Sequence, residues 1–307
     1  MHEQRYRQAE DDLWASVGVE PTERMVWLER TRATVRIQEL GEGDTVVFIH
    51  GATTGGTSWA SLAARLASFR CVLVDRPGCG LSPRLDRSHN DVAELTAFAD
   101  DLVVDVLDAL GADAAHVIGT SFGGYFVLRA AAAHPTRIDR VVTLSWSLGA
   151  PVAHTPLVVR MAMQPALRRM AARIPVTEPM ARSLLKQIGL RRAVESGRFG
   201  ALEMAWFMAL LRDTDTVRNE IDAAPRIVTL RGFNDETLLT PSLLERVAAP
   251  VYLLWGEEDP MGGADIARQF AAHLDNARLE LMAEAGHAPW MDDPDHVAAR
   301  VGAFLGG

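Results

Sequence analysis

The chain has 307 residues, of which 48% are hydrophobic and 23% charged, so it can bury a large core and is not a disordered protein. Its 40 acidic and 31 basic residues give a formal charge of -9, which argues against nucleic acid as a partner. No apolar run reaches the ~18 residues of a membrane span, and the polar N-terminus lacks a secretory signal pattern. The two cysteines, Cys71 and Cys79, indicate neither a disulfide framework nor a metal cluster, and a reducing, cytoplasmic location fits them best.

Patterns typical of helices and of strands alternate along the chain. Arg5 to Val17 has a helical pattern, and Thr34 to Leu40 alternates apolar and polar residues as an outer antiparallel strand does. Short apolar runs then recur, each before a turn and most before a helical stretch; they begin at Val46, Cys71, His116, Val141, Val251 and Arg278. This alternation predicts an α/β fold with a mostly parallel central sheet flanked by helices.

One interval is too long for an ordinary connection. Roughly a hundred residues separate Leu144 from Val251, whereas a crossover between parallel strands needs about a dozen. We therefore predict a helical lid inserted at residues 151–247, with the core formed by residues 1–150 and 248–307. The insertion is rich in methionine and arginine: Met161, Met163, Met170, Met180, Met204, Met208, Arg168, Arg169, Arg191 and Arg192. Each methionine alone is most simply core, but together they suit an adaptable apolar pocket.

The segment His116 to Ala133 contains the pattern G-x-S-x-G between a predicted strand and a predicted helix. Ser121 lies at its centre, flanked by Gly119 and Gly123. A sharp turn of this kind projects the serine hydroxyl from the sheet, and the flanking residues must be small because a Cβ there would meet neighbouring backbone. A glycine-rich turn without chemistry has the same five-residue pattern, but the position of this one favours a nucleophile.

Because this turn lies between a predicted strand and a predicted helix, the chain resembles the α/β-hydrolase fold, and the resemblance covers most of the chain apart from the insertion. The resemblance implies a serine hydrolase of the esterase and lipase type that needs neither a metal nor a cofactor. A serine in the turn disfavours the branches with an aspartate nucleophile, the haloalkane dehalogenases and epoxide hydrolases.

A serine nucleophile needs a base that accepts its proton and an acid that orients the base. His287, in AGHAPWMDDP, resembles the catalytic histidine loop of the family, and Asp259, in VYLLWGEEDP, resembles its acid loop. Glu257 and Glu258 are the alternative acids. The order Ser121, Asp259, His287 is the one expected for this fold. Four other histidines are more simply explained by packing or solvent exposure: His50, His116, His273 and His296.

The loop from His50 to Gly56, HGATTGG, resembles the HG loop of the family. By this resemblance, the backbone N–H groups of Ala52 and Phe122 would stabilise the oxyanion of a tetrahedral intermediate. The segment VDRPGCGLS also resembles the family and is interpreted as scaffold, in which Asp75 and Arg76 could hold the turn. Cys79 has no histidine or second thiol beside it and no evident role.

These features predict acyl transfer to water through an acyl-enzyme on Ser121. The expected substrate is a small carboxylic ester with an apolar moiety, because the insertion contains methionine and tryptophan and no obvious clamp for a charged group. Candidate pocket residues are Trp146, Met204, Trp206, Phe207 and Trp290, the last of which could equally fasten its loop to the core.

Alternatives remain at this stage. The same fold and triad serve lactonases, carbon–carbon bond hydrolases, aminopeptidases, thioesterases and cofactor-free haloperoxidases, and the arginines of the insertion could bind a carboxylate. The loop HGATTGG is less rich in glycine and proline than is typical of the carbon–carbon hydrolases, which counts against that branch. A ligand receptor of the same fold is the alternative outside enzymes, although the complete triad argues against it. The sequence leaves the oligomeric state open.

Overall fold

The computed structural model describes residues 2–85, 91–152, 176–229 and 232–307. Its strands are β1 (Thr22–Leu28), β2 (Ala33–Leu40), β3 (Thr45–Ile49), β4 (Arg70–Asp75), β5 (Ala115–Ser121), β6 (Ile138–Ser147), β7 (Val228–Thr229), β8 (Gly232–Phe233), β9 (Val251–Gly256) and β10 (Ala277–Met282). Eight of them form one sheet in the order β1-β2-β4-β3-β5-β6-β9-β10, while β7 and β8 pair separately. The pairs from β4 to β10 are parallel, so the predicted α/β fold with a mostly parallel sheet is confirmed.

The helices surround this sheet. They are α1 (Glu3–Ser16), α2 (Ala60–Ala63), α3 (Val92–Leu110), α4 (Phe122–Ala133), α5 (Glu178–Leu185), α6 (Arg191–Ser196), α7 (Ala201–Asp213), α8 (Thr216–Ile227), α9 (Pro241–Leu244), α10 (Ala264–Ala271), α11 (Pro289–Asp292) and α12 (Pro294–Leu305). None of the helices in these ranges combines the length and apolar character that a bilayer crossing requires.

Alternate residues of the parallel strands face opposite sides of the sheet, and both sides are covered. On β3, Val47 and Ile49 belong to a buried cluster that includes residues of α3 and α4. Val46 and Phe48 belong to a second cluster, with residues of α2, α7 and α12. Burial on both faces explains why these strands are short continuous apolar runs, which is the property that made them predictable.

The antiparallel edge differs from the prediction. The expected strand at Thr34–Leu40 is β2 and it is antiparallel, but it is not the outer strand, because β1 pairs along its free side. The strand pattern of β1 is hard to recognise in the sequence because its four apolar residues are consecutive and do not alternate with polar ones. Two of them face solvent, Met25 with 51% and Trp27 with 49% exposure. The prediction of an outer strand at this position was therefore wrong.

The insertion between β6 and β9 is mostly helical where it is described, and it also contains the short pair β7 and β8. We call α5 to α8 the inserted helices; their role as a lid, and the division of the chain into core and lid, stay predictions. Of the methionines in this segment, Met204 and Met208 are buried and Met180 is exposed. Five residues named for the predicted lid lie outside the described residues: Met161, Met163, Met170, Arg168 and Arg169.

The N-terminal helix α1, predicted at Arg5–Val17 and found at Glu3–Ser16, joins the inserted helices to the sheet. The Trp206 indole N–H of α7 donates to the Tyr6 hydroxyl at 3.3 Å. On the sheet side, the buried Arg36 guanidinium of β2 pairs with Glu10 of α1 and, at 3.3 Å, with Asp75 of β4. These contacts fix the position of α7 over the sheet.

Candidate active site

Ser121 ends β5 and directly precedes α4. Its backbone has φ 54° and ψ -120°, a conformation that costs a non-glycine residue about 1–3 kcal/mol and is typical of a strand-to-helix turn that exposes a nucleophile. The two flanking glycines are required by space. A Cβ on Gly123 would overlap the Ile49 carbonyl, and a Cβ on Gly119 would lie 2.5 Å from the Gly123 oxygen. The sequence folds this way here because only glycine permits the close approach of β3 and α4.

Asp259 and His287 are brought together by the loops that follow β9 and β10. The His287 Nδ1 lies 2.8 Å from the Asp259 Oδ2, and the aspartate side chain is completely buried. The Trp146 N–H also donates to Oδ2 at 3.1 Å, and the Met261 N–H donates to Oδ1 at 2.9 Å. Both carboxylate oxygens are thus held by protein donors, which fixes the orientation of the acid.

The two alternative acids do not share this position. Glu257 and Glu258 are exposed, and the charged partner of Glu258 is Arg192, at 4.0 Å. The hydrogen-bonding geometry therefore favours Asp259 over both glutamates as the partner of His287.

The pKa of His287 reflects two opposing effects. Burial disfavours the imidazolium and lowers the pKa, but the charge of Asp259 and its hydrogen bond outweigh burial and raise the pKa above the usual 6.5. A neutral imidazole held by a carboxylate through Nδ1 leaves Nε2 available to accept a proton. The pair can therefore act as a general base near neutral pH.

Sheet topology places these groups together, because β5, β6, β9 and β10 are neighbours and their carboxyl ends lie at one edge. Ser145, at the end of β6, bridges the acid and base loops: it accepts from the Gly256 N–H at 3.0 Å and donates to the Gly286 carbonyl at 2.8 Å. Between the described residues, no hydrogen bond joins Ser121 Oγ to His287; in catalytic sites such bonds often tighten only with substrate present.

Both predicted oxyanion donors belong to segments next to Ser121: Phe122 follows it in the chain, and Ala52 follows Gly51. Gly51 packs against the serine so closely that a Cβ on it would be 3.1 Å from the Ser121 Cβ. Among the described residues, neither the Ala52 N–H nor the Phe122 N–H donates to another part of the protein. Unused backbone donors next to a strained serine are what stabilisation of an oxyanion requires.

Backbone strain is concentrated in these loops. In the described ranges, the non-glycine residues with positive φ are Thr53, Ser121, Ser145 and Glu284, together with Arg32 in the β1–β2 turn. The first four lie in the HG loop, in the serine turn, at the end of β6 and just before His287. Such conformations persist where the surroundings over-determine them, and they are common at functional sites.

Two contacts with the base loop have no signature in the sequence. The carbonyl of Gly189, at the kink between α5 and α6 where its φ is 100°, accepts the His287 N–H at 3.0 Å. Asp292 of α11 accepts the Gly286 N–H at 2.9 Å, and burial raises the pKa of this carboxyl to about 6. The only sequence signal for Gly189 is an isolated glycine in a helical pattern, which is too weak to assign a role.

Two of the predicted pocket residues lie near the base loop. The Trp146 ring centre is 6.4 Å from that of His287 and 5.2 Å from that of Phe233. Trp290 packs against Trp59, with ring centres 4.3 Å apart and planes tilted by 31°, and donates its indole N–H to the Ser58 carbonyl at 3.0 Å. Trp290 thus fastens the loop after β10 to the core.

The three pocket candidates on α7 are buried, and their identified contacts are with other parts of the molecule. Trp206 bonds Tyr6 of α1, and Phe207 packs edge-on against Phe199 at 6.2 Å. Met204 lines a groove of about 440 Å³ between the inserted helices, which contains none of the triad residues. Their place in a substrate pocket stays a prediction.

The comparisons with known proteins agree with this architecture. A family model described as the α/β-hydrolase fold matches residues 44–294. A curated relative from Cupriavidus pinatubonensis, named 2-hydroxy-6-oxononadienedioate/2-hydroxy-6-oxononatrienedioate hydrolase, is 26% identical over 85% of this chain and 86% of its own length. Among solved structures, carboxylesterase CesB from Bacillus subtilis matches with a TM-score of 0.75 and 23% identity, covering 100% of this chain and 99% of that one.

A second structure, the 2-hydroxy-6-oxo-6-phenylhexa-2,4-dienoate hydrolase of Rhodococcus sp. strain RHA1, has a TM-score of 0.78 and 20% identity, covering 94% of this chain and 100% of that one. At these identities the structural likeness shows the fold alone. The family match spans most of the chain and includes every strand of the parallel sheet. This chain therefore belongs to the α/β-hydrolase fold family.

Proposed function

We propose that this protein is a serine hydrolase that cleaves a carboxylic ester with an apolar moiety through an acyl-enzyme on Ser121. The observation that carries the proposal is the buried Asp259–His287 pair at the same sheet edge as the strained serine. Activation of the Ser121 hydroxyl accounts for both the hydrogen-bonded acid and base and the strained turn beside them.

The reaction has two halves. In the first, Ser121 Oγ attacks the carbonyl carbon while His287 Nε2 accepts its proton, and the oxyanion is held by the N–H groups of Ala52 and Phe122. Collapse of this intermediate breaks the ester C–O bond, and His287 returns the proton to the departing alkoxide. In the second half, His287 takes a proton from water, the resulting hydroxide attacks the acyl carbon, and the proton returns to Ser121 as the acid leaves.

Charge around the fold supports a neutral substrate. The buried arginines in the described ranges are Arg36 and Arg76, and each is already paired with a carboxylate. A substrate carboxylate entering the site would find neither of them unpaired, and burying an unpaired charge is costly. An ester with apolar groups carries no such cost.

Hydrolysis of a carbon–carbon bond is the second candidate. It is favoured by the relative from Cupriavidus pinatubonensis, whose name denotes a dicarboxylate substrate of this reaction type. The composition of the HG loop, which counts against this branch, is a weaker observation than 26% identity over most of the chain. The same Ser121, Asp259 and His287 would serve either bond.

The test uses three reagents on one preparation: p-nitrophenyl esters of short acids, 2-hydroxy-6-oxo-6-phenylhexa-2,4-dienoate, and a fluorophosphonate probe. We expect ester turnover and probe labelling that disappear in Ser121→Ala. The control is Ser147→Ala, because Ser147 lies opposite Ser121 in the register of β5 and β6, but its side chain is buried whereas that of Ser121 is partly exposed. Turnover of the dienoate alone would move the assignment to carbon–carbon cleavage, and a folded protein inert to all three would refute an enzyme and favour a receptor.

A further inference from the structure

Arg76 stands in the turn after β4 and is almost completely buried, with 5% of its side chain exposed. Its guanidinium donates to two carbonyls of the HG loop, to Gly51 at 2.9 Å through Nη2 and to His50 at 3.2 Å through Nε. Nη2 also pairs with Glu220 of α8 at 2.6 Å. Among the described residues Glu220 is the one acidic ion-pair partner of Arg76, and the arginine also bonds the backbone just before Ala52, so its contacts extend beyond its own turn.

The Gly51 carbonyl and the Ala52 N–H belong to one rigid peptide unit and point in opposite directions. Whatever holds the carbonyl therefore aims the N–H. Besides Arg76, the Gly51 oxygen accepts from Thr54 Oγ1 at 3.1 Å and lies 2.8 Å from His50 Nδ1. Because it is bound by a cation, this peptide is polarised and its N–H becomes a stronger donor.

The tautomer of His50 is set by the same arginine. The Arg76 backbone N–H donates to His50 Nε2 at 3.0 Å, so Nε2 is the acceptor and Nδ1 carries the hydrogen that is directed at Gly51. Burial and then the charge of Arg76 lower the pKa of His50 well below its usual value, so the ring stays neutral. The Gly51 oxygen thus receives three hydrogen bonds.

The second oxyanion donor is contacted by the same side chain. The guanidinium carbon of Arg76 lies 4.6 Å from the ring centre of Phe122, the residue whose N–H is the other predicted donor. A guanidinium over an aromatic face is attracted to the ring and fixes its position. Arg76 therefore contacts the protein at both predicted donors: the carbonyl of Gly51 before Ala52, and the ring of Phe122.

The inserted helix α8 is docked onto this turn by three side chains. Besides the ion pair of Glu220, Asn219 Nδ2 donates to the Pro77 carbonyl at 3.0 Å, and the Gly80 N–H donates to Thr216 Oγ1 at 3.0 Å. The position of the arginine is therefore set from the insertion as well as from the sheet.

We propose that Arg76 is a positioning residue that aims and polarises the oxyanion hole, and that Glu220 makes this hole depend on the docking of α8. The inference rests on the proposed serine hydrolase function. It predicts a defect specific to states that carry an oxyanion, since Arg76 acts on the donors and has no role in holding the neutral ground state. A lysine supplies a point charge without the planar fork that reaches both carbonyls and the ring.

The experiment compares Arg76→Met and Arg76→Lys with Arg129→Met. Arg129 is a suitable control, because it too pairs with a carboxylate, Asp100 at 2.8 and 2.9 Å, and contacts an aromatic ring, Tyr125 at 5.4 Å. For Arg76→Met we expect kcat with a p-nitrophenyl ester to fall about 10²-fold with little change in KM, which is comparable to the loss of an oxyanion donor. Affinity for a trifluoromethyl ketone, which forms a tetrahedral oxyanion adduct on the serine, should fall in parallel, while affinity for the corresponding secondary alcohol, which forms no adduct and stays neutral, should not.

Arg76→Lys should recover part of kcat. Glu220→Gln should lower kcat and ketone affinity by several-fold. If Arg76→Met does not fold, Glu220→Gln and Arg76→Lys together test whether Arg76 positions the oxyanion donors. Folded Arg76 and Glu220 variants whose kcat and ketone affinity match those of Arg129→Met would overturn the proposal. Activity that survives in Ser121→Ala would instead overturn the proposed function, so the two failures are distinguishable.

Discussion

Gly189→Ala tests whether the inserted helices hold the proposed base, His287, in place. Gly189 has φ +100°, and its carbonyl accepts the His287 N–H. A methyl group there would lie 2.7 Å from the His287 Cβ, 2.7 Å from the Pro260 Cδ and 2.9 Å from the His287 nitrogen. Nothing at these distances is a flexible side-chain end, so either the inserted turn or the histidine loop must move.

The magnitude follows from two terms. A left-handed backbone costs alanine about 1–2 kcal/mol, and overpacking a filled site costs about 1–3 kcal/mol, so the free energy of unfolding should fall by about 2–5 kcal/mol. If the strain is relieved by shifting His287 by about 1 Å, kcat should fall about 10²-fold, because a base in hydrogen-bond reach of the serine tolerates little displacement. KM should change much less.

Gly197→Ala is the matched control in the same insertion. Gly197 has φ +79°, but a Cβ there would meet nothing within 4 Å, so only the backbone term of about 1–2 kcal/mol applies and kcat should stay near wild type. Urea unfolding and ester kinetics on the two variants separate strain from contact with the base. Equal kcat values for the two alanine variants would refute the idea that this turn holds His287.

Three further predictions concern the site. Because the pKa of His287 is raised above 6.5, kcat/KM should fall as pH drops through a midpoint above that value, and a flat profile from about pH 5 to 8 would contradict the base assignment. The same shift stabilises the folded protein fully below about pH 6.5, and this stabilisation is lost as pH rises through the folded-state pKa of His287, which melting curves across this range would detect. Asp259→Asn should lower kcat by about 10⁴-fold, whereas Glu258→Gln should leave it unchanged, and the reverse outcome would move the acid. Trp290→Phe should cost about 1 kcal/mol in urea unfolding through loss of the bond to Ser58, with KM little changed; a large rise in KM would instead place the indole in the substrate pocket.

The sequence was sufficient to predict the parallel sheet, because strands buried on both faces are written as short apolar runs. The serine turn could also be predicted from its pattern, because close contacts with nearby residues and with the adjoining strand require glycine at Gly119 and Gly123. The edge strand β1 was not, because it is covered on one side only and exposes Met25 and Trp27. Local patterns predict elements whose surroundings are uniform, and they fail at edges.

The contacts that the sequence could not show join residues that are far apart in the chain. Arg76 and Glu220 are 144 positions apart, and Trp206 and Tyr6 are 200 apart. Nothing in the turn after β4 distinguishes an arginine that orients a loop from one that is solvated, since its partner lies on an inserted helix. Such roles depend on tertiary packing, which a single sequence does not display.

The inserted helices contact both ends of the proposed mechanism. The turn at Gly189 bonds the backbone of the proposed base, His287, and Glu220 bonds Arg76, which contacts Gly51 and Phe122. If the inserted helices opened as one rigid body, both contacts would break at once. His287 would then lose its backbone partner, and Arg76 would become an unpaired buried charge, which is costly. Substrate entry is therefore expected to involve movement that leaves these two contacts intact. A disulfide that locks α8 to the β4 turn should preserve kcat, and a large loss of kcat in the folded, locked protein would refute this expectation.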